Sequence, residues 1–434
     1  MIEKTKKLKR IQVASIALLT LAGIVNYLDR STLSIANHSV SSELGLSASQ
    51  MGILLSAFSF AYAFAQLPVG VLLDKFGSRV MLGLGMFVWS AAQFSGGLIT
   101  SLHQFIIARI ALGVGESPNF PAGAKVVSEW FGIRERGRPT GIFITSSTIG
   151  PALAPPILTV MMLSFGWRQM FMIMGGFGIA VSIGWYLIYR DRKSVKLSDG
   201  ETAYLNEGAS DAKVERKMTM SEWRNLFLTR TTWGMILGNA GIIYMLWLYL
   251  TWLPAYLERE RHLSLASTGW LVSIPYLFGT IGMLSSGFVA DALQARGVAP
   301  IRSRKWPICV GLIGGAVFTV PAAFTQNLTL AIFYLSVAMF FVQMACGASW
   351  ALVSVAAPRH MAASLASIQN FGGYFGGSFA PFVTGVVVDR THSFVDAFLI
   401  SAGIALLAAL VYAFVVGKRV DGPKVVVSTP PLAT

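Results

Sequence analysis

The chain has 434 residues, 54% of them hydrophobic and only 12% charged, with a mean hydropathy of +0.62. Apolar runs of ~20 residues recur along its whole length, which excludes a soluble protein and predicts a polytopic helical membrane protein. The net charge of +14 could indicate a nucleic-acid partner, but it is distributed between the apolar runs in the manner of membrane topology, so no nucleic acid is expected.

The first ten residues include Lys4, Lys6, Lys7, Lys9 and Arg10 and lead straight into an apolar run. That run is too long for a secretory signal and has no small-residue cleavage site, so it reads as an uncleaved first span. Twelve spans are predicted, at 12–36, 49–73, 80–100, 103–129, 138–162, 168–189, 230–256, 266–290, 305–325, 329–356, 361–388 and 393–416. With alternate loops assigned to the cytoplasm, that side receives the basic N-terminus, Lys75, Arg79, Arg134, Arg136 and Arg138, and most basic residues between Arg190 and Arg230. It also receives Arg296, Arg302, Arg304, Lys305, Arg359, Lys418, Arg419 and Lys424, while the other side receives Arg168, Arg259, Arg261 and Arg390. The asymmetry follows the positive-inside rule with both termini cytoplasmic.

Span 1 contains Asn26-Tyr27-Leu28-Asp29-Arg30-Ser31. Tyr27 and Arg30 are three apart and share a helix face, with Asp29 on an adjacent one. The two charges either neutralise each other or serve transport, in which case Asp29 can bind and release a proton. In span 2, Tyr62 and Gln66 are four apart on one face. They offer a hydroxyl and an amide to a cavity or, for Gln66, to a neighbouring helix.

Span 4 carries the central stretch, Arg109-Ile-Ala-Leu-Gly-Val-Gly-Glu116-Ser-Pro118-Asn-Phe-Pro121. Arg109 and Glu116 are separated by roughly two helical turns, ~10 Å of rise, and share a face. Charges this deep usually face a bundle interior or a water-filled cavity. Gly113 and Gly115 leave room for a neighbouring backbone or a ligand, and Pro118 and Pro121 remove two donors where the helix is expected to bend. A cation and an acid on one cavity-facing stripe is a transport-site pattern; a structural ion pair is the alternative. Span 5 adds Thr145-Ser146-Ser147-Thr148, suited to hydrogen-bonding a polyol, although such hydroxyls also bond their own helix carbonyls.

The longest hydrophilic stretch divides the spans six and six, predicting an N-terminal half at 1–189, a cytoplasmic linker with one or two surface helices at 190–229, and a C-terminal half with a short tail at 230–434. Internal similarity supports a duplication. Gly70-Val-Leu-Leu-Asp74 closes span 2 and Gly287-Phe-Val-Ala-Asp291 closes span 8; Gly150-Pro-Ala-Leu-Ala154-Pro155 lies in span 5 and Gly376-Gly-Ser-Phe-Ala380-Pro381 in span 11. Two similar facing halves place a substrate site near the membrane midplane and permit alternating access. The second half is neutral inside, with Asn239, Tyr244, Gln343, Ser349, Ser354, Gln369 and Asn370, and with Trp247, Trp252 and Trp350 as aromatic surfaces. One ionic and one neutral half suit a small carboxylate with several hydroxyls, because arginine takes a carboxylate bidentately while amides and hydroxyls address the rest. Cys309 and Cys346 have no metal-ligand spacing, and neither a metal nor a cofactor is expected.

These residues resemble the major facilitator superfamily, and more closely its anion:cation symporter branch. The loop motif between spans 2 and 3 appears as Gly70-Val-Leu-Leu-Asp74-Lys75-Phe-Gly77-Ser-Arg79, and a second follows span 4 as Glu129-Trp-Phe-Gly-Ile-Arg134-Glu135-Arg136-Gly137. At branch level the match is Tyr27-Leu-Asp29-Arg30, Arg109-x6-Glu116-x-Pro118-x-x-Pro121, Trp350-Ala-Leu-Val-Ser354 and Gln369-Asn370-Phe-Gly372-Gly373. The resemblance covers essentially the whole chain and implies an all-α membrane protein of twelve helices in two pseudo-symmetric six-helix halves. In the bacterial sugar-acid members it implies Asp29 and Glu116 as proton sites and Arg30 as the carboxylate partner. Tyr27, Tyr62, Gln66, Arg109, Ser147, Trp350, Gln369 and Asn370 are the further candidate substrate contacts, with Tyr62, Trp350 and Asn370 matching positions that line the sugar-acid site. Gly70, Asp74, Gly77, Arg79, Glu129 and Arg136 are implied in conformational gating. Some galactonate-type members carry a glutamine where this chain has Ser146-Ser147, so galactonate, other hexonates, hexuronates, aldarates and shorter hydroxycarboxylates all remain candidates.

The function expected is proton-coupled symport of a sugar-acid anion across a bacterial inner membrane, by a monomer. An organic-anion or phosphate-ester exchanger or uniporter of the same fold is the alternative. An enzyme is not expected: the spans contain no His-Glu-x-x-His, no paired aspartates and no Ser/His pairing. A channel is disfavoured by the two-half design and by the lack of a matching charge ring in the second half.

Overall fold

The computed structural model describes residues 5–132, 135–206 and 220–420, and among these every regular element is a helix. Lys4, Arg134, the linker charges Lys213, Glu215, Arg216 and Lys217, and the tail with Lys424 lie outside the described residues. In chain order the helices are α1 (Lys6–Ile35), α2 (Asn37–Leu44), α3 (Ala48–Gly96), α4 (Leu102–Glu116), α5 (Asn119–Trp130) and α6 (Gly137–Ile188). Then come α7 (Asp199–Asn206), α8 (Met220–Leu226), α9 (Arg230–Arg259), α10 (Leu265–Ala295) and α11 (Pro300–Phe324). The last four are α12 (Leu328–Ala356), α13 (Arg359–Gly377), α14 (Phe379–Thr391) and α15 (Val395–Phe414).

Nine helical segments among the described residues are long and apolar enough to cross a bilayer, α13 and α14 counting as one of them. Two of these are double. α3 has 49 residues and α6 has 52, and at ~1.5 Å per residue either would be more than twice the ~30 Å hydrocarbon core. Each turns back at a single glycine, Gly77 (φ 79°, ψ 164°) and Gly166 (φ 80°, ψ 167°), in a region of backbone space that side-chain-bearing residues avoid. α4 and α5, each too short to cross alone, stack end to end as another span. The spans are therefore twelve, in two six-helix halves.

Two spans are interrupted near their middles. α4 ends at Glu116 and α5 begins at Asn119, where Pro118 and Pro121 cannot donate to the preceding turn. The stretch 361–388, read from sequence as one unbroken span, is likewise divided: α13 stops at Gly377 and α14 starts at Phe379. Pro381 cannot donate to the Gly377 carbonyl, and the Ser378 hydroxyl turns back to the Tyr374 carbonyl at 2.6 Å.

Glycines bring the fifth span of each half onto the first. Gly23 in α1 faces Ser146 and Gly150 in α6 backs onto Tyr27, while Gly373 and Gly377 in α13 lie against Asn239 and Ile243 in α9. The halves meet along α3 and α13–α14, which run antiparallel in a regular register. Starting at the face opposite the start of α1, the Asp389 carboxylate accepts from the backbone N–H groups of Ala48 (2.8 Å) and Ser49 (2.7 Å). Deeper, the Ser56 hydroxyl accepts from the Phe382 N–H at 3.1 Å. The rings of Phe60 and Phe379 (5.0 Å), Tyr62 and Tyr374 (4.8 Å), and Phe64 and Phe371 (5.8 Å) follow. The seam ends in a hydrogen bond from Asn370 Nδ2 to Gln66 Oε1 at 2.5 Å. Ser34 donating to the Thr251 carbonyl (2.9 Å) and Gly269 against Thr159 close the same far face elsewhere. Toward the near face, where α1 starts, Gly70, Gly141 and Gly287 border open space. The halves are thus joined from the far face to mid-depth.

On the near face α7 rests on the first half. The Tyr204 hydroxyl donates to Glu135 at 2.7 Å, Lys7 donates to the Lys196 carbonyl at 2.6 Å, and the Thr5 hydroxyl bonds Glu201.

Candidate functional site

The ionic residues singled out in spans 1 and 4 converge at the inner end of that seam. Asp29, Arg30, Arg109 and Glu116 are each no more than 3% exposed. Arg30 Nε donates to Glu116 Oε2 at 2.7 Å. Its guanidinium also lies over the rings of Tyr27 (5.0 Å), Phe58 (5.2 Å) and Tyr62 (4.8 Å), so three aromatic faces stabilise a desolvated cation. Arg109 sits over the same Phe58 ring at 5.1 Å. The indole of Trp89 and the guanidinium of Arg109 face Asp29, and the Asn26 amide faces Glu116.

The spacing in span 4 suggested Arg109 as the neighbour of Glu116, but the direct partner is Arg30. The helix ends at Glu116 and re-aims its carboxylate across to α1, leaving Arg109 to face Asp29 as well. Two guanidiniums and two carboxylates balance in charge yet do not use up their bonding capacity. Arg30 Nη2, Arg109 Nε and Nη1, Glu116 Oε1 and both Asp29 oxygens have no hydrogen bond of ordinary length. Buried polar atoms are nearly always satisfied, so these atoms leave hydrogen-bonding capacity free beside a mid-membrane ion pair.

The second half supplies neutral groups. The Tyr374 ring lies 4.8 Å from that of Tyr62, and Trp247 lies 5.7 Å from Phe58 and 6.3 Å from Tyr374. Asn370 reaches Gln66 across the seam, so two expected substrate contacts hold one another. Gln369 is not brought to this cluster. Its side chain donates to the Ser349 carbonyl at 3.4 Å, its own carbonyl accepts from Asn239 at 3.3 Å, and it ties α13 to α9 and α12. One residue away from Asn370 on a helix is a different face. Ser147 is half-buried and bonds the Ile144 carbonyl of its own helix at 2.7 Å, as Thr145, Ser146 and Thr148 bond theirs. Trp350 is half-exposed on α12 beside buried Ser349.

The near-face motif residues are ordered within the first half. Asp74 pairs with Lys125 at 2.7 Å, and Lys125 also donates to the Leu73 carbonyl at 3.0 Å. The turn at Gly77 is closed by Asp191, which accepts from the Arg79 N–H at 3.1 Å. Arg79 lies over the Tyr186 ring at 4.3 Å and donates to the Tyr186 carbonyl at 3.0 Å. Arg136 donates to the Phe131 (3.1 Å) and Ser128 (2.8 Å) carbonyls, and Glu129 accepts from Tyr189 at 3.4 Å. Gly70 carries no such contact and borders open space. In the second half Asp291, the counterpart of Asp74, instead approaches Arg304, at 3.7 Å.

Sequence reasoning passed over Tyr374, Lys125 and Asp191. Lys125 carried a signal, being the single lysine of predicted span 4. Tyr374 carried none, because nothing in the pattern of α13 says which face meets the other half.

A twelve-span bundle in two halves, with a buried ionic cluster at mid-depth beside the seam between them, is the architecture of a membrane transporter. The family profile described as Major Facilitator Superfamily matches residues 19–381, and the chain belongs to that superfamily. Its relatives include the probable L-galactonate transporter of Escherichia coli (strain K12), 48% identical over 426 residues, which are 98% of this chain and 93% of that protein. The D-galactonate transporter of Escherichia coli O6:H1 is 32% identical, with 92% and 94% covered. The hexuronate transporter of Bacillus subtilis (strain 168) is 30% identical, with 91% and 92% covered. These are proteins of the branch that the motifs in spans 1 and 4 resemble. Among solved structures, a bacterial homologue of the human lysosomal transporter Spinster superposes with a TM-score of 0.77 at 18% identity, with 93% and 96% covered. A D-xylose-proton symporter gives 0.73 at 15% identity, with 94% and 99% covered. At such identities the likeness is one of fold.

Proposed function

We propose that the protein is a proton-coupled symporter that imports a sugar-acid anion across a bacterial inner membrane, with a hexonate of the galactonate type as its foremost substrate. The observation that carries this reading is the buried Arg30–Glu116 pair with unsatisfied Arg30 Nη2 beside it. The 48% identity to a probable L-galactonate transporter supports the substrate class. The halves are residues 1–189 and 230–434, the linker 190–229 is cytoplasmic, and both termini are cytoplasmic, so the near face looks into the cell. The working unit is a monomer.

Glu116 and a substrate carboxylate compete for one guanidinium. Protonating Glu116 removes its charge-assisted bond to Arg30 and frees the arginine to take the substrate carboxylate. Loss of that proton returns Glu116 to Arg30 and expels the substrate. Uptake of a monoanion opposes an inside-negative potential worth ~2.3 kcal/mol per 100 mV per charge. One proton cancels that charge, and a second proton, taken by Asp29 beside Arg109, lets the potential drive import. Tyr62, Asn370, Gln66 and Trp350 address the hydroxyls and the carbon chain of the substrate. Asp74, Gly77, Arg79, Glu129 and Arg136 hold the near-face ends of the first half while the halves rock.

The test is uptake of labelled galactonate by the purified full chain in proteoliposomes under an imposed proton gradient, with no substrate inside. Accumulation that collapses with a protonophore is expected. Uptake that requires internal counter-substrate and ignores the gradient would make the protein an exchanger. Failure of galactonate, galacturonate and galactarate to bind or enter would overturn the substrate class.

A further inference from the structure

Among the described residues the second half brings no charged side chain to this cluster, yet one of its tyrosines packs against the ring that carries the cation. The phenol of Tyr374 lies within electrostatic reach of Arg30 and of the phenols of Tyr27 and Tyr62. Its ring is tilted by 46° against that of Tyr62, at 4.8 Å, and Tyr62 in turn takes the Arg30 guanidinium over its face at 4.8 Å. Trp247 closes the far edge of the Tyr374 ring at 6.3 Å. The Tyr374 ring is therefore wedged between rings from both halves, one of them the Tyr62 ring that carries the Arg30 guanidinium, whose Nη2 has no hydrogen-bond partner.

Tyr374 also stands just before a break between two helices. It is the last full turn of α13 before the interruption at Ser378, whose hydroxyl bonds the Tyr374 carbonyl. One turn earlier on the same face is Asn370, on Gln66. A pull on the phenol is thus a pull on the segment that zips the halves together.

We propose that Tyr374 is a carboxylate contact delivered from the opposite half: its hydroxyl and Arg30 Nη2 take the two oxygens of the substrate carboxylate together. This rests on the sugar-acid reading above and deepens it. An anion held only by Arg30 would bind the first half without informing the second. An anion shared with Tyr374 bridges α1 and α13, so that carboxylates are selected over neutral polyols by a clamp that is complete only when the halves close.

The test uses the purified full chain, calorimetric titration with galactonate, and the variants Tyr374→Phe and Tyr374→Leu. Phe keeps the ring between Tyr62 and Trp247 and removes only the oxygen. A hydrogen bond to a charged group is worth enough that its loss should weaken galactonate about tenfold or more, with the melting temperature of the ligand-free protein unchanged. Wild-type affinity in Tyr374→Phe, with loss only in Tyr374→Leu, would show that the ring packs and the hydroxyl contacts nothing, and would overturn the proposal. A fall in ligand-free melting temperature in Tyr374→Phe that matches the affinity loss would do the same. If the unmodified protein binds no sugar acid, the parent reading fails and this inference with it; if it binds and Tyr374→Phe binds equally, the inference alone fails.

Discussion

At the scale of single residues, the site turns on who holds Arg30. In the structure it is Glu116, through one 2.7 Å bond, and the three aromatic faces around the guanidinium keep it in place whichever anion is present. Glu116→Gln imitates the protonated acid in size and neutrality. It should leave galactonate binding intact and support exchange of labelled for unlabelled substrate, while accumulation against a gradient disappears. Proton-driven accumulation at the wild-type level would remove Glu116 from coupling. Arg30→Ala should cut affinity at least a hundredfold without unfolding the protein, measured by the same titration, because it removes the charge that both anions use. The four ionic residues were legible in the sequence because a charge in an apolar span is conspicuous and costly. Their pairing was not. Spacing within one helix favoured Arg109 for Glu116, but the carboxylate meets Arg30 of another helix, and no pattern along span 4 carries that direction.

At the scale of elements, the prolines of span 4 announced its bend, whereas the interruption in span 11 needed one further inference: that Pro381 strips the Gly377 carbonyl of its donor four residues back. The hairpin turn at Gly166 illustrates how a backbone break builds a contact. It places Trp167 and Arg168 at the far face, where the indole donates to Glu43 Oε2 at 2.6 Å and the guanidinium reaches Oε1 at 2.9 Å. Those two donors, the indole first, hold the Glu43 carboxyl below its ordinary range. A carboxylate lowered in the folded state contributes stability that is present above its unfolded value, near ~4.3, and is lost as the pH falls through the folded value. Thermal unfolding of the wild type from pH ~6 to ~3 should therefore steepen at the acid end. Glu43→Gln should flatten that limb and lower the melting point at neutral pH, with transport retained. Identical acid limbs in both proteins would show that the Glu43 contacts carry no net stability.

At the scale of the whole molecule, the two-half plan was legible from the repeated Gly-x-x-x-Asp and Gly-Pro/Gly-Gly segments, but the seam was not, because its partners lie more than 300 residues apart. The seam makes a specific claim about the transport cycle. For alternating access the far face must open, and α3 must leave α14. What holds them is chiefly a charge at a helix start: Asp389 accepts from the first two N–H groups of α3, donors that the helix cannot satisfy itself. Below it, Gly52 sits so close to the Pro381 carbonyl that a Cβ there would lie 2.6 Å from the oxygen, so the closed seam depends on a bare backbone at that point. An N-cap of this kind is worth about 1 kcal/mol, roughly a fivefold shift in a two-state equilibrium. Asp389→Ala should therefore raise the far-open population about fivefold, and Gly52→Val should do so more strongly through its clash. The readout is alkylation of Ser56→Cys, a position buried in the seam, by an impermeant maleimide from the far side, in a background lacking Cys309 and Cys346. Faster labelling in both variants, slowed again by whatever ligand closes the halves, is the expected outcome. Unchanged labelling with a lowered melting temperature would mean that the cap and the glycine only support the fold, and that the far face opens along a different seam.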